Sequence, residues 1–211
     1  MLFGKPLMAQ VHPTALVDPR AKLAQDVTVG PFTVIDGDVE IGAGTTIGAH
    51  NVITGHTKIG RDNRIFHFSS IGEANQDKKY KGEPTRLAIG DRNTIREYCT
   101  INRGTVQDAG ITKIGAHVMV GAASIVLQDI PPYVLVAGHP CAPHGINSEG
   151  LKRRGFSPAS IESIRRAYKT LYRSGLGFEE AKQGIADQAR EVPELQVLVE
   201  FLASSTRGVI R

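Results

Sequence analysis

The hydrophobic pattern of this chain has a period of six. Every sixth residue from Val11 gives Val11, Val17, Leu23, Val29, Ile35, Ile41, Ile47, Ile53, Ile59, Ile65 and Ile71, eleven aliphatic positions without a miss. Glycine often follows (Gly30, Gly42, Gly48, Gly60, Gly72), and the residue two before is small or β-compatible (Ala15, Ala21, Thr33, Thr45, Thr57, Ser69). Neither the helical period of 3.6 nor the strand period of 2 selects one residue in six. A short strand followed by a sharp turn does, because it sends one aliphatic side chain per face to a common axis. Three such faces close a triangular coil of about eighteen residues, which predicts a hexapeptide-repeat parallel β-helix. Each buried aliphatic side chain stabilises by roughly 1.5–3 kcal/mol. No coil buries its own core, so that stability comes from stacked neighbours.

After Ile71 a polar segment near 73–86 interrupts the register, which returns at Ile89, Ile95 and Ile101. The phase survives, so the segment reads as a loop ejected from an intact stack, a placement that suits binding. A second loop near 103–110 follows, and Ile114, Val120 and Val126 resume one residue out of phase, for seventeen hexapeptides in all. Four prolines between Asp129 and Pro143 are expected to end the coil, since proline cannot donate to a ladder. From Ser157 the period becomes helical. Ser157 is a candidate N-cap with Pro158 at the first helical position, Gly175 closes that helix, and further helices are expected over 178–190 and 194–204. The prediction is a mainly β chain, with a β-helix over residues 1–145 and an α-helical domain over 146–211.

Charge adds one feature. The net charge of +4 is mild, but Leu151 to Ser174 holds seven basic residues against one acid, Glu162. Such a strip steers anions, either nucleotide phosphates or an acidic carrier protein. Lys152, Arg153 and Arg154, beside a glycine, are expected to grip a diphosphate together. Nucleic acid is not expected as a partner, because aromatic interleaving is sparse and no recognised module is present. Two cysteines, Cys99 and Cys141, make no disulfide framework and suit a reduced cytoplasmic setting. Met1 to Gln10 is short for a signal peptide, and no apolar run reaches the length of a membrane span. Among seven histidines, His50 and His56 stand one hexapeptide apart on adjacent faces and His67 takes a different position, so no metal site is predicted. No cofactor fingerprint is present either.

Several strings taken together resemble a known family. They are Val11-His12-Pro13-Thr14-Ala15, Gly55-His56-Thr57-Lys58-Ile59-Gly60-Arg61-Asp62-Asn63, Ser70-Ile71-Gly72-Glu73 leading into Asn75-Gln76-Asp77 and Lys79-Tyr80, and Gly82-Glu83-Pro84-Thr85-Arg86. Arg103-Gly104, Gly150-Leu151-Lys152-Arg153-Arg154-Gly155-Phe156 and Ser205-Thr206-Arg207-Gly208 complete the set. The combination resembles the UDP-N-acetylglucosamine 3-O-acyltransferases that open lipid A biosynthesis, over nearly the whole chain. The resemblance implies a left-handed β-helix, against the usual right-handed crossover, and a homotrimer with active sites between subunits. It implies acyl carrier protein as donor of an R-3-hydroxyacyl group and UDP-N-acetylglucosamine as acceptor. Gln76, Asp77 and Lys79 then correspond to sugar-nucleotide contacts, and Asn147, Glu149, Arg153 and Arg154 to nucleotide- and phosphate-side contacts.

One expected string is missing. The family's general base is a histidine in a His-x-x-His-Asp string, and this chain has none. Gly110 to Gly115 resembles the segment before the catalytic coils and Ala116 to Gly121 the segment after them, joined directly. About fifty residues, close to three coils, are therefore absent at Gly115/Ala116. His117 belongs to the later coil, so no catalytic residue is assigned. The resemblance thus leaves an acyltransferase by descent and, as the alternative, a catalytically inactive β-helix trimer that keeps part of the sugar-nucleotide site.

Overall fold

The computed structural model describes residues 8–205 and 208–211. Part of the amino-terminal stretch before the repeat, and Thr206-Arg207 of the last string, lie outside the described residues. Through Val126 the chain forms seventeen strands of two to four residues, and each of the seventeen register residues sits in its own strand. The strands sort into three parallel faces, the first starting at Gln10–Val11, the second at Leu16–Val17 and the third at Lys22–Leu23. The fold is a left-handed parallel β-helix with carboxy-terminal helices.

Pairing registers measure the loops. Partners are eighteen residues apart in the early coils, as in Val11↔Val29 and Val17↔Ile35. The separation grows to thirty across the first loop (Ile65↔Ile95) and twenty-five across the second (Ile89↔Ile114). The excess over eighteen leaves from one corner and does not disturb the stack. From Val29 onward the axial residues are at most 3% exposed, whereas Val11 at the open end is 40% exposed, because it has a neighbour on one side only.

The joint at Gly115/Ala116 is continuous. Gly90 N donates to Ile114 O at 2.8 Å, His117 N to Asp91 O at 2.9 Å and Thr94 N to Val118 O at 2.9 Å. Inside the corner, Asn93 Oδ1 accepts from Val118 N at 2.7 Å, as Asn63 Oδ1 accepts from Asn93 N one coil earlier. Removing whole coils leaves the same ladder, since equivalent positions face one another on both sides of the joint.

The expected stop at the proline-rich segment is corrected by one further strand. Val134–Gly138 pairs in parallel with Met119–Val120 on the first face, and Cys141–Ile146 then folds back antiparallel. Pro131 and Pro132 fall in a corner and Pro140 in the hairpin turn, where no ladder donor is lost. Four helices follow: α1 (Ser148–Arg153), α2 (Pro158–Tyr172), α3 (Phe178–Ala189) and α4 (Gln196–Ser204). Ser157 caps α2 through the Ser160 N–H, with Pro158 in the first turn. Their own core gathers Leu151, Ile161, Ile164, Leu171, Ile185, Leu195, Leu198 and Leu202 around Tyr133 of the β-helix. Tyr133 OH donates to Glu194 O at 2.6 Å, and Ile210 N to Asp129 O at 2.9 Å, which ties helices to coil. No helix among the described residues is long and apolar enough to cross a membrane.

Candidate functional site

The predicted site residues fall into two groups at two different corners. The first loop leaves the corner between the second and third faces, where Gln76, Asp77 and Lys79 are exposed at its tip. The tip is folded by its own side chains: Asn75 Oδ1 accepts from Asp77 N at 2.7 Å, and Asp77 Oδ1 from Lys79 N at 2.9 Å. Arg103 supports its base, with Arg103 Nη2 donating to Tyr80 OH at 3.2 Å. That reach requires glycine at position 55, since a Cβ there would lie 1.8 Å from Arg103 Nη1. The loop is therefore a shaped platform with polar groups left pointing outward.

The second group lies on α1, at the corner between the third and first faces. The structure separates residues that the sequence reading kept together. Lys152 pairs with Glu149 at 2.8 Å, Arg153 is exposed, and Arg154 turns inward to donate from Nη2 to Arg92 O at 2.7 Å. The expected joint grip of three cations is corrected to one inward arginine, because a helical turn points successive side chains in different directions. Asn147 is a structural cap: its Oδ1 accepts from Gly150 N at 3.2 Å and its Nδ2 donates to His117 O at 3.0 Å. The Lys152 ammonium beside Glu149 lowers that carboxyl's pKa.

The corner beneath Arg154 is a column that periodicity alone does not announce. Asp62, Arg92, His117 and Tyr133 occupy equivalent left-handed positions with φ of 56°, 58°, 60° and 72°. Each main-chain N–H reaches back to the previous coil, as from Arg92 N to Arg61 O and from Tyr133 N to Ala116 O. The sequence signal is a glycine two positions before three of the four, Gly60, Gly90 and Gly115 preceding Asp62, Arg92 and His117, while Pro131 precedes Tyr133. Asp62, Arg92, His117, Arg154 and Phe156 line a cleft of about 510 Å3.

His117 is the only histidine in that cleft, and its chemistry is constrained. Its ring stacks on Tyr133 at 5.6 Å and meets the Phe156 edge at 5.1 Å. It is 9% exposed, and its Nδ1 has no hydrogen-bond partner. Burial, then the charges of Arg154 and Arg92, pull its pKa down to about 4, with Asp91 opposing. The ring is therefore neutral at pH 7 and a poor proton acceptor, since a general base works best with a pKa near the working pH. His56, another histidine beside a carboxylate, lies on the third face with Nδ1 3.7 Å from Asp38 Oδ2. Among the described residues no group of three His, Cys, Asp or Glu side chains converges as metal ligands.

Comparison with known proteins fits this architecture. The family model for UDP N-acetylglucosamine O-acyltransferase domain 2 matches residues 129–210, and that for bacterial transferase hexapeptide (six repeats) matches residues 9–55. An acyl-[acyl-carrier-protein]–UDP-N-acetylglucosamine O-acyltransferase of Thiobacillus denitrificans is 51% identical over 258 positions, covering 97% of this chain and 100% of the relative. One from Janthinobacterium is 48% identical over 262 positions, with the same coverages. Both alignments exceed the 211 residues of this chain, by 47 and 51 positions, so each relative carries residues that have no counterpart here. The crystal structure of the Moraxella catarrhalis UDP-N-acetylglucosamine O-acyltransferase is 35% identical, with a TM-score of 0.51 over 95% of this chain and 99% of that one.

Proposed function

The chain belongs to the acyl-[acyl-carrier-protein]–UDP-N-acetylglucosamine O-acyltransferase family, and from that premise we propose that it retains the acceptor side of this lipid A reaction with little of its turnover. The family reaction moves an acyl group from its carrier protein to UDP-N-acetylglucosamine. In this reading Gln76, Asp77 and Lys79 meet the sugar end of the acceptor. Glu149, Arg153 and Arg154 meet its nucleotide and phosphates, with Asn147 holding α1 in place.

One observation carries the reading. The loop and α1 stand at the two corners that bound the third face, so a single chain presents them on opposite edges. A site using both takes the loop of one chain and α1 of the next. A ring with third faces turned inward does this at every interface, and we read it as the homotrimer that the family resemblance implies. The loss of turnover follows from the joint. The histidine-bearing coils are absent, and His117 is too weak a base to replace them. Losing a general base costs about 10²–10⁴-fold.

The test measures two things on the purified chain: UDP-N-acetylglucosamine affinity by calorimetry, and thioester release from hydroxyacyl carrier protein. Binding that Asp77→Ala weakens, with turnover at least about a hundredfold below a full-length relative, is the expected result. Turnover equal to that relative overturns the loss of the base, and the absence of acceptor binding overturns the retained site. Light scattering checks the assembly, with a trimer expected.

A further inference from the structure

The cleft at the third corner is a product of the joint. Asp62 and Arg92 come from coils before it, and His117, Arg154 and Phe156 from the chain after it. In the family pattern about three coils stand between these two sets. At about 4.8 Å per coil they would keep Arg92 and Arg154 roughly 14 Å further apart along the axis. Here the two arginines are in contact, Arg154 Nη2 on the Arg92 carbonyl at 2.7 Å.

We propose that Arg92, Arg154 and His117 form an oxyanion site, suited by its charge to a phosphoryl or diphosphate group, that this chain acquired through the joining of its coils. It uses Arg154 from the functional reading above but needs neither the loop nor a second chain. Three observations carry it. Two guanidinium groups line one cleft with a single carboxylate, Asp62, which sits 3.7 Å from Arg92 Nη2 and leaves that charge only loosely paired. No carboxylate pairs with Arg154 among the described residues, although it is half-buried. The His117 ring lines the cleft beside both guanidinium groups, although its unpartnered Nδ1 is itself buried. Planar guanidinium forks match phosphoryl oxygens bidentately, as they do carboxylates.

An anion in the cleft also favours the charged imidazole. The groups facing His117 are Arg92 and Asp91 from the preceding coil, Arg154 and Phe156 from the helical side, and Tyr133 from the following coil. Burial first, and then the two cations among them, keep the ring neutral, and a bound phosphoryl group offsets the cations' share.

The experiment titrates the full chain with inorganic pyrophosphate and follows the His117 ring by NMR across pH. Saturable binding with a rise in the His117 pKa is expected. Arg92→Gln and Arg154→Gln should each weaken binding at least about tenfold. Asp62→Asn, which removes the competing carboxylate, should strengthen it, and this variant answers for any that misfold. Asp77→Ala should leave pyrophosphate binding unchanged, which separates this site from the acceptor reading. Orthophosphate and UDP, run beside pyrophosphate, show whether one phosphoryl group or a nucleotide diphosphate is the better fit. The proposal is overturned if pyrophosphate leaves His117 unmoved, or if Arg92→Gln binds as the parent does.

Discussion

The first and third corners of this prism have the same backbone and opposite chemistry. At the first corner Phe32, His50, Phe68 and Tyr98 hold left-handed positions with φ of 56–59°. At the third, Asp62, Arg92 and His117 hold them at 56–60°. The first corner is an aromatic ladder, with ring centroids 5.0, 4.8 and 5.3 Å apart, and Phe32, Phe68 and Tyr98 are all at least 45% exposed. Its left-handed column is aromatic throughout, with Arg96 and Glu97 paired beside it at 2.9 Å, and no helix among the described residues covers the exposed rings. The third corner carries charges and is covered by α1 and the Phe156 ring. The left-handed slot is fixed by the coil, and the residue in it is free to vary. What differs is the cover: the helices close one corner into a cleft and leave the other as a stacked stripe.

A second difference lies two residues earlier. At the third corner glycine is unbroken through Gly42, Gly60, Gly90 and Gly115, and a Cβ on any of them would come within 2.9 Å of the next coil's backbone. At the first corner Gly30 and Gly48 give way to Phe66 and Arg96, whose guanidinium lies 4.4 Å over the Phe66 ring. The covered corner is thus the more tightly stacked one, and substitutions should separate the two. The largest effect is expected at the joint. A Cβ at Gly115 would meet Pro132 N at 2.4 Å, so Gly115→Ala should destabilise by about 1–3 kcal/mol, read as a lower urea midpoint at unchanged m-value.

Next comes pH. The folded pKa of His117, about 4, lies below its unfolded value of 6.5, so the folded state resists protonation. Its contribution is complete above about pH 6.5 and is lost as pH falls through 4, up to about 3 kcal/mol in all. Denaturation series between pH 7 and 4 should show that loss, and His117→Phe should flatten it. The smallest effect belongs to the first corner. Phe68→Ala removes two stacked partners from an exposed stripe and should cost about 1 kcal/mol, with no change in pyrophosphate binding. A change in that binding would erase the functional contrast between the corners.

How much of this was legible follows from the same contrast. The axial register was readable to the residue, because burial at a shared axis permits only Val, Ile or Leu at one position in six. The loops were readable as breaks that preserve or shift that phase. The corner columns were not, for two reasons. The left-handed slot accepts Asp, Arg, His, Phe or Tyr alike, and the loops stretch its spacing, so that Asp62, Arg92 and His117 fall thirty and twenty-five residues apart. The run Lys152-Arg153-Arg154 looked like one cationic grip because adjacency in sequence hides the turn of a six-residue helix. The extra strand Val134–Gly138 was hidden by nearby prolines, of which Pro131, Pro132 and Pro140 stand outside the ladder while Pro143 pairs opposite Val136 at an irregularity in the register. The absence of the catalytic string was plain from sequence; that its removal would press Arg92 against Arg154 required the coordinates.

The continuous ladder across Gly115/Ala116 has one more consequence. Because every coil presents the same edge to the next, length in this molecule is quantised: the chain can lose or gain whole rungs, and nothing in between. Each rung moves everything above it along the axis by about 4.8 Å and keeps its angular position. The prism behaves as a ruler with fixed graduations, on which the loop at one mark and the helical cap at another are set apart by a whole number of steps. Removing rungs need not erase a surface; it slides distant marks into register with one another, and new neighbours such as Arg92 and Arg154 appear without a single substitution.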